Sequence, residues 1–350
     1  MKLKWVLYGM IAFVPLALIG EMAGWAPELV FLFSALGIIP LADLIGEATE
    51  ELAAYTGPRV GGLLNATLGN AAELIITIFA ISEGLFGLVL ASITGSILGN
   101  LLLVMGFSLL LGGLKNGVQK FEPHQAGINA VLLILAVIAL FIPSIFSRAI
   151  APDLIAELRF NEGVAVVMIA IYALTVLYSF QTRGAPHVHE GLMHKARWSM
   201  PRSLITLALA TGGVVLASEL LVGAVEHVTE SLGLTEFFIG IIIIPLVGNI
   251  AEHLVAVEVA YKNNMELSLA VSIGSSLQIA LFVAPVLVFI SLLFDEQLLL
   301  IFTDFELIAL FSASLVAALI AQDGESNWLE GAVLLAVYLM VGLAFFFLPA

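Results

Sequence analysis

The string Gly69-Asn70-Ala71-Ala72-Glu73 returns 179 residues later as Gly248-Asn249-Ile250-Ala251-Glu252. The same offset carries Gly95-Ser96 onto Gly274-Ser275, Leu98 onto Leu277, Glu47 onto Glu226, Glu51 onto Glu230 and Gly61 onto Gly240. Matches at one spacing, without a gap, mean that the chain contains a duplicated unit. Each copy sets its glutamate inside an apolar stretch. A carboxylate in hydrocarbon costs roughly 2.5 kcal/mol or more, so an ionisable residue there points to function by default.

Composition supplies the hydrocarbon. Of the 350 residues, 61% are apolar and only 11% charged, whereas a soluble domain carries about 25% charged residues. The chain therefore reads as an integral membrane protein. With no cysteine, disulfides, thiolate-bound zinc and thiol chemistry are excluded. The net charge of −15 fits a surface that handles cations, or simply acidic loops and helix ends; total charge is not a site. No cofactor and no nucleic acid are expected, and homo-oligomerisation is left open.

Apolar stretches of membrane length are expected near 5–20, 27–54, 58–82, 85–113, 125–146, 163–181, 203–231, 235–261, 266–293, 301–321 and 328–349. The fold class is an all-α polytopic membrane protein of about eleven transmembrane helices. Basic residues orient it. With the N-terminus in the cytoplasm, ten of them (Lys2, Lys4, Arg59, Lys115, Lys120, Arg183, Lys195, Arg197, Arg202 and Lys262) lie on the cytoplasmic side, against Arg148 and Arg159 outside. The C-terminus then lies outside.

The 179-residue offset maps the second span on the seventh, and so on to the sixth on the eleventh. Five spans per copy, an odd number, turn the copies upside down relative to each other, as inverted repeats of secondary transporters do. The expected domains are an N-terminal span (1–26), a first five-helix repeat (27–181), a cytoplasmic linker (182–202) and a second, inverted repeat (203–350). The linker holds His187, His189 and His194, which fit solvated side chains better than a metal site.

Gly57-Pro58, Gly61-Gly62 and Gly69 in the third span, and Gly240, Pro245 and Gly248 in the eighth, predict broken helices whose freed carbonyls face a cavity. Asn70 with Glu73, and Asn249 with Glu252, are spaced i to i+3 and share a helix face. Hard divalent cations take six to eight oxygens. The candidate ligands are Glu73, Glu252, Asn70 and Asn249, with Ser96, Asn100, Ser275, Ser276 and Gln278 from the following spans. Helix packing alone explains the glycines and serines, but it explains the glutamates poorly. His253 points away from Glu252 and reads as a hydrogen-bonded neighbour. Glu258 and Lys262 read as a helical ion pair.

A second acidic set, Asp43, Glu47, Glu50 and Glu51, occupies the cytoplasmic half of the second span. Its counterpart is Glu219, Glu226 and Glu230. The members Glu47, Glu51, Glu219, Glu226 and Glu230 are candidate access-path acids, or else water-facing helix ends.

At these residues the chain resembles the Ca2+/H+ antiporters, the cation/proton exchanger family of the cation/Ca2+ exchanger superfamily. The paired Gly-Asn-x-x-Glu motifs carry the likeness, with His253 after the second. Gly95-Ser96 with Gly99-Asn100, and Gly274-Ser275-Ser276 with Gln278, look like the partner helices. The resemblance implies one extra span before a five-plus-five inverted pair. It implies that Glu73 and Glu252 bind Ca2+ and protons alternately, with Ca2+ as cargo, while the second and seventh spans shift with their neighbours, the sixth and the first. With protons entering from outside, the expected direction is Ca2+ export from the cytoplasm across the cell membrane. Na+/Ca2+ exchangers share this architecture; the Asn-x-x-Glu form with His253 is the proton-coupled pattern. The long acidic linker of eukaryotic members is missing here.

Electrostatics suffices for the coupling. Two carboxylates in low dielectric cannot both stay charged without a partner, and either Ca2+ or two protons cancel the charge. An intramembrane aspartyl protease needs paired aspartates that this chain lacks in its spans. A cation channel lines its path with acids too, but needs no counterflow of protons.

Overall fold

The computed structural model describes residues 2–150, 153–181 and 196–348. The linker histidines His187, His189 and His194 lie outside them. In chain order come α1 (Lys2–Met10), α2 (Phe13–Met22), α3 (Pro27–Leu68), α4 (Ala71–Ser82), α5 (Phe86–Leu98), α6 (Met105–Asn116), α7 (Pro123–Ile150) and α8 (Leu154–Gln181). Then follow α9 (Met200–Gly223), α10 (Val225–Leu232), α11 (Glu236–Phe238), α12 (Ile244–Tyr261), α13 (Met265–Gln278), α14 (Ala284–Ser291), α15 (Asp304–Gln322) and α16 (Trp328–Phe346). Two short strands, β1 (Gln119–Lys120) and β2 (Glu325–Ser326), pair antiparallel.

Among the described residues, ten helical stretches are long and apolar enough to cross a membrane, and Ala71–Ser82 is a shorter apolar helix. Eleven apolar segments therefore stand where the sequence predicts eleven spans. Large apolar side chains such as Leu209, Leu293 and Leu339 remain exposed, which suits a surface facing lipid.

The helix α3 outlasts the predicted second span, and helical backbone continues through Gly57-Pro58 to Leu68. Residues eight apart in a straight helix are separated by roughly 12 Å along the axis. Yet a Cβ on Gly61 would lie 2.7 Å from the Cβ of Ala53. The segment between Ala53 and Gly61 is therefore bent back on itself, and α3 is not one straight helix.

The repeats differ at the predicted breaks. In the first, the helix stops at Gly69-Asn70, where Asn70 takes φ −99° and ψ 18° before α4 begins. In the second, α12 runs unbroken through Gly248-Asn249. Its irregularity lies earlier, as a π-helical turn at Ile239–Ile243 in which the Ile244 N–H reaches Ile239 O. A second π turn, Ile279–Val283, passes the Ala284 N–H to Ile279 O. A proline follows one residue later in both cases, Pro245 and Pro285. Proline has no N–H to continue the α ladder, and a one-turn widening accommodates the missing donor. The third π turn, Gly99–Val104, is the repeat counterpart of Ile279–Val283, with Gly106 standing where Pro285 stands in the other copy.

Two compact units divide the chain. One comprises Met1–Val89, His189–Ala251 and Pro349–Ala350. Within it α3 packs along α9, and α2 packs along α3. Glycines permit the approach: a Cβ on Gly37 would lie 2.6 Å from Val14 Cγ2, and one on Gly213 would lie 2.8 Å from Leu41 Cδ1. Close backbone approach at small residues is the usual device of membrane helix pairs.

The other unit comprises Leu90–Val188 and Glu252–Leu348. Here α6 packs on α16, α7 on α15 and α8 on α14. Between α14 and α15 the chain runs extended, yet Leu298, Leu300 and Phe302 are buried. Side chains satisfy its backbone. Asn161 donates to Leu298 O and accepts from Leu300 N. Ser144 donates to Leu300 O and accepts from Phe302 N. Non-helical backbone at membrane depth requires such internal partners.

Candidate functional site

Glu73 is the third residue of α4 and 1% exposed. The break at Gly69-Asn70 starts α4 afresh, and the positive end of its helix dipole favours negative charge in the first turn, where Glu73 lies. The Asn249 amide donates to Glu73 Oε2 at 3.3 Å. Gly248 packs on the same residue: a Cβ there would stand 3.5 Å from Glu73 Cβ. Thr77 returns a hydroxyl to Glu73 O at 2.8 Å. Asn70, Glu73 and Asn249 are all buried, so one unit gathers the first motif's carboxylate with the second motif's amide.

In the other unit, Ser275 Oγ on α13 donates to Glu252 Oε2 at 2.7 Å. Glu252 is half-buried. Ser96 and Asn100 are buried in α5 and the π turn that follows it, and Gln278 is half-buried at the end of α13. The Asn100 side-chain nitrogen has no hydrogen-bond partner among the described residues. Ser276 donates to Ser272 O, back into its own helix, so of the two neighbouring serines Ser275 is the one joined to a carboxylate. His253 is buried, and its Nε2 has no hydrogen-bond partner among the described residues. Lys262 pairs with Glu258 as predicted.

Among the described residues no group of three or more His, Asp and Glu side chains is gathered as a metal cage. Each unit instead sets one motif glutamate against a neutral hydrogen-bond donor, Asn249 beside Glu73 in one and Ser275 beside Glu252 in the other.

The second acidic set and its counterpart divide by environment. Glu51 is 1% exposed and accepts the backbone N–H groups of Arg197 at 2.6 Å and Trp198 at 3.0 Å. The Arg197 guanidinium stands 3.7 Å away, and Tyr55 donates to Trp198 O at 2.6 Å. Glu51 thus fastens the segment before α9 to α3. Asp43, Glu47 and Glu50 are half-buried along α3, while Glu219 on α9 and Glu226 and Glu230 on α10 are exposed.

One buried carboxylate carries no repeat signature in the sequence. Glu306, in the first turn of α15, is 1% exposed and accepts Thr94 Oγ1 of α5 at 2.9 Å. Thr303-x-x-Glu306 is a capping-box pattern and was legible as such. Its burial was not, because its repeat counterpart is Gly127.

The description "Sodium/calcium exchanger protein" belongs to a family that matches residues 28–181 and 202–347. A Ca(2+)/H(+) antiporter of Aphanothece halophytica is 45% identical over 98% of this chain and 97% of its own length. The Ca(2+)/H(+) antiporter ChaA of Bacillus subtilis (strain 168) is 45% identical over 96% of this chain and 97% of its own. The solved structure of native YfkE superposes with a TM-score of 0.86 at 43% identity, covering 98% of this chain and all of that one. The chain belongs to the sodium/calcium exchanger protein family.

Proposed function

We propose that this protein is a secondary antiporter that exchanges Ca2+ for protons by alternating access, with Glu73 and Glu252 taking Ca2+ or protons in turn. The observation that carries this reading is Glu73, a buried carboxylate at a helix start inside the membrane, bonded by the amide of the other repeat's motif. A carboxylate in that position is costly when charged and unaccompanied, so each cargo discharges it. Asn70, Asn249, Ser96, Ser275, Gln278 and Asn100 supply neutral oxygens to Ca2+. The relatives named Ca(2+)/H(+) antiporter, similar over nearly the whole chain, support proton coupling over sodium coupling.

The five-helix repeats are residues 27–181 and 203–350, inverted with respect to each other, after an N-terminal span (1–26) and joined through a linker at 182–202. The protein lies in the cell membrane with its N-terminus in the cytoplasm and its C-terminus outside, and it exports Ca2+. Glu47, Glu219, Glu226 and Glu230 line the approaches from the two sides. The partners are Ca2+, protons and lipid; no cofactor takes part, and no chemical bond is made or broken.

Reconstitution tests the reading. Purified protein in liposomes with an imposed pH gradient is expected to move Ca2+ against the proton flow, with no requirement for Na+. Transport driven by a Na+ gradient and indifferent to pH would replace it with sodium exchange. Ca2+ movement without proton counterflow would make the protein a channel.

A further inference from the structure

We infer that Glu306 and Thr94 form a positioning pin for α5, the helix that carries Ser96; this rests on the transport reading above. Both residues belong to the same compact unit as Ser96 and Asn100. Glu306 Oε2 accepts Thr303 N at 2.8 Å and Thr303 Oγ1 at 2.9 Å, closing a capping box at the start of α15. That accounts for one oxygen. The other, Oε1, accepts Thr94 Oγ1 at 2.9 Å across 212 residues of sequence.

A helix start needs only the first oxygen. In the capping box of α16, half-buried Glu330 turns both oxygens to its own cap residue Asn327, whereas Glu306 sends one to another helix. Glu306 is 1% exposed and Thr94 fully buried. Burying a carboxylate that deeply is unfavourable unless its bonds are held in fixed geometry.

The surroundings hold it so. Thr303 ends the extended segment whose backbone is bonded at Leu298, Leu300 and Phe302 by Ser291, Asn161 and Ser144. Glu306 is therefore fixed from behind, by α7, α8 and α14, and presents Oε1 to α5 as a stationary acceptor. Thr94 and Ser96 are two residues apart, roughly 200° around the helix. Fastening the rear of α5 at Thr94 sets the rotation and depth at which Ser96 is offered on the opposite face. The same rotation sets where the π turn at Gly99–Val104 begins, and with it Asn100.

The test separates positioning from mere support. Thr94→Val keeps the shape of the side chain and removes the hydroxyl. In liposomes with an imposed pH gradient, the half-saturating Ca2+ concentration is expected to rise roughly three- to tenfold, with the maximal rate within about twofold of the parent. Thr94→Ser restores the hydroxyl and should restore the parent value. Thr94→Ala, which also lacks the hydroxyl, should shift it in the same direction. Should Thr94→Val prove unstable, Thr94→Ala carries the test. Thr94→Val with a parent-like Ca2+ requirement, or Thr94→Ser no better than Thr94→Val, overturns the pin while leaving the antiport reading intact. A parent protein that shows no Ca2+/H+ exchange overturns the antiport reading, and the pin with it.

Discussion

The Asn249 side-chain amide lies 3.3 Å from Glu73 Oε2 and donates to it, joining the asparagine of one repeat motif to the glutamate of the other. The carboxylate is otherwise sealed from solvent. Neutralising it without changing its shape should be decisive. Glu73→Gln, and likewise Glu252→Gln, are each expected to abolish proton-driven Ca2+ uptake while the purified variant keeps its elution profile and helical content. Uptake near the parent rate by either variant in liposomes would falsify the two-glutamate mechanism.

Ser275 offers a graded test. Its hydroxyl donates to Glu252 at 2.7 Å, and a hydrogen bond to a charged group is worth about 1.5–3 kcal/mol. Ser275→Ala should weaken Ca2+ binding by roughly tenfold, whereas Ser276→Ala, whose hydroxyl turns back to Ser272 O, should change it by less than about threefold. Calorimetric titration of the two variants measures both. Equal losses would mean that Ser275 acts through packing.

By sequence position Glu51 belongs with the access acids, and its surroundings give it a structural task. Its carboxylate receives two backbone N–H groups ahead of α9. Glu51→Ala should therefore lower the midpoint of thermal unfolding in detergent, at a cost of ~2 kcal/mol, whereas Glu230→Gln, exposed on α10, should not. If Glu51→Ala leaves the midpoint in place and changes only the Ca2+ requirement from the cytoplasmic side, it belongs to the path.

How much was legible depended on repetition and on length. The 179-residue offset exposed Glu73, Glu252 and both asparagines, because a duplicated glutamate in hydrocarbon has no cheap structural explanation. Gly57-Pro58 reads as the broken start of the third span, yet helical hydrogen bonding carries on through it, although Gly61 abuts Ala53. The asymmetry of the breaks was not visible. Gly248-Asn249 reads like Gly69-Asn70, yet Pro245 has no counterpart in the first copy, where Ala66 stands. The irregularity moved to the π turn ahead of that proline. Nothing in the sequence marks Glu306 as buried, because a glutamate three residues after a threonine at a helix start normally faces water.

Glycine packing can be tested without touching transport residues. A Cβ on Gly331 of α16 would lie 2.3 Å from Leu110 N and 2.5 Å from Gly106 O, both backbone atoms of α6. Gly331→Ala should cost roughly 1–3 kcal/mol through overpacking. Gly127→Ala, with nothing within 4 Å of the added atom, should be neutral or slightly stabilising, because alanine favours helix by about 1 kcal/mol. Thermal unfolding of both in one detergent gives the comparison. A Gly331→Ala midpoint equal to that of the parent would show that α6 and α16 are free to separate.

The last prediction concerns competition between the two ions. If Glu73 and Glu252 serve both, bound Ca2+ must displace protons, because a metal binds the ionised carboxylate. The sign follows: lowering pH puts protons on the carboxylates, weakens Ca2+ binding and favours release on the acidic side. Adding Ca2+ to weakly buffered protein should acidify the solution, and Glu73→Gln and Glu252→Gln should each release fewer protons than the parent. Separate proton and Ca2+ sites would leave the two events independent. Among the described residues no other Gly-Asn-x-x-Glu pair recurs in both repeats, and Glu306 has no counterpart there, so shared use is the simpler arrangement. Calorimetry in buffers of different ionisation enthalpy decides between them. Heat that varies with the buffer counts the protons released per Ca2+, and heat that does not, at a pH where transport runs, would send the protons by another route.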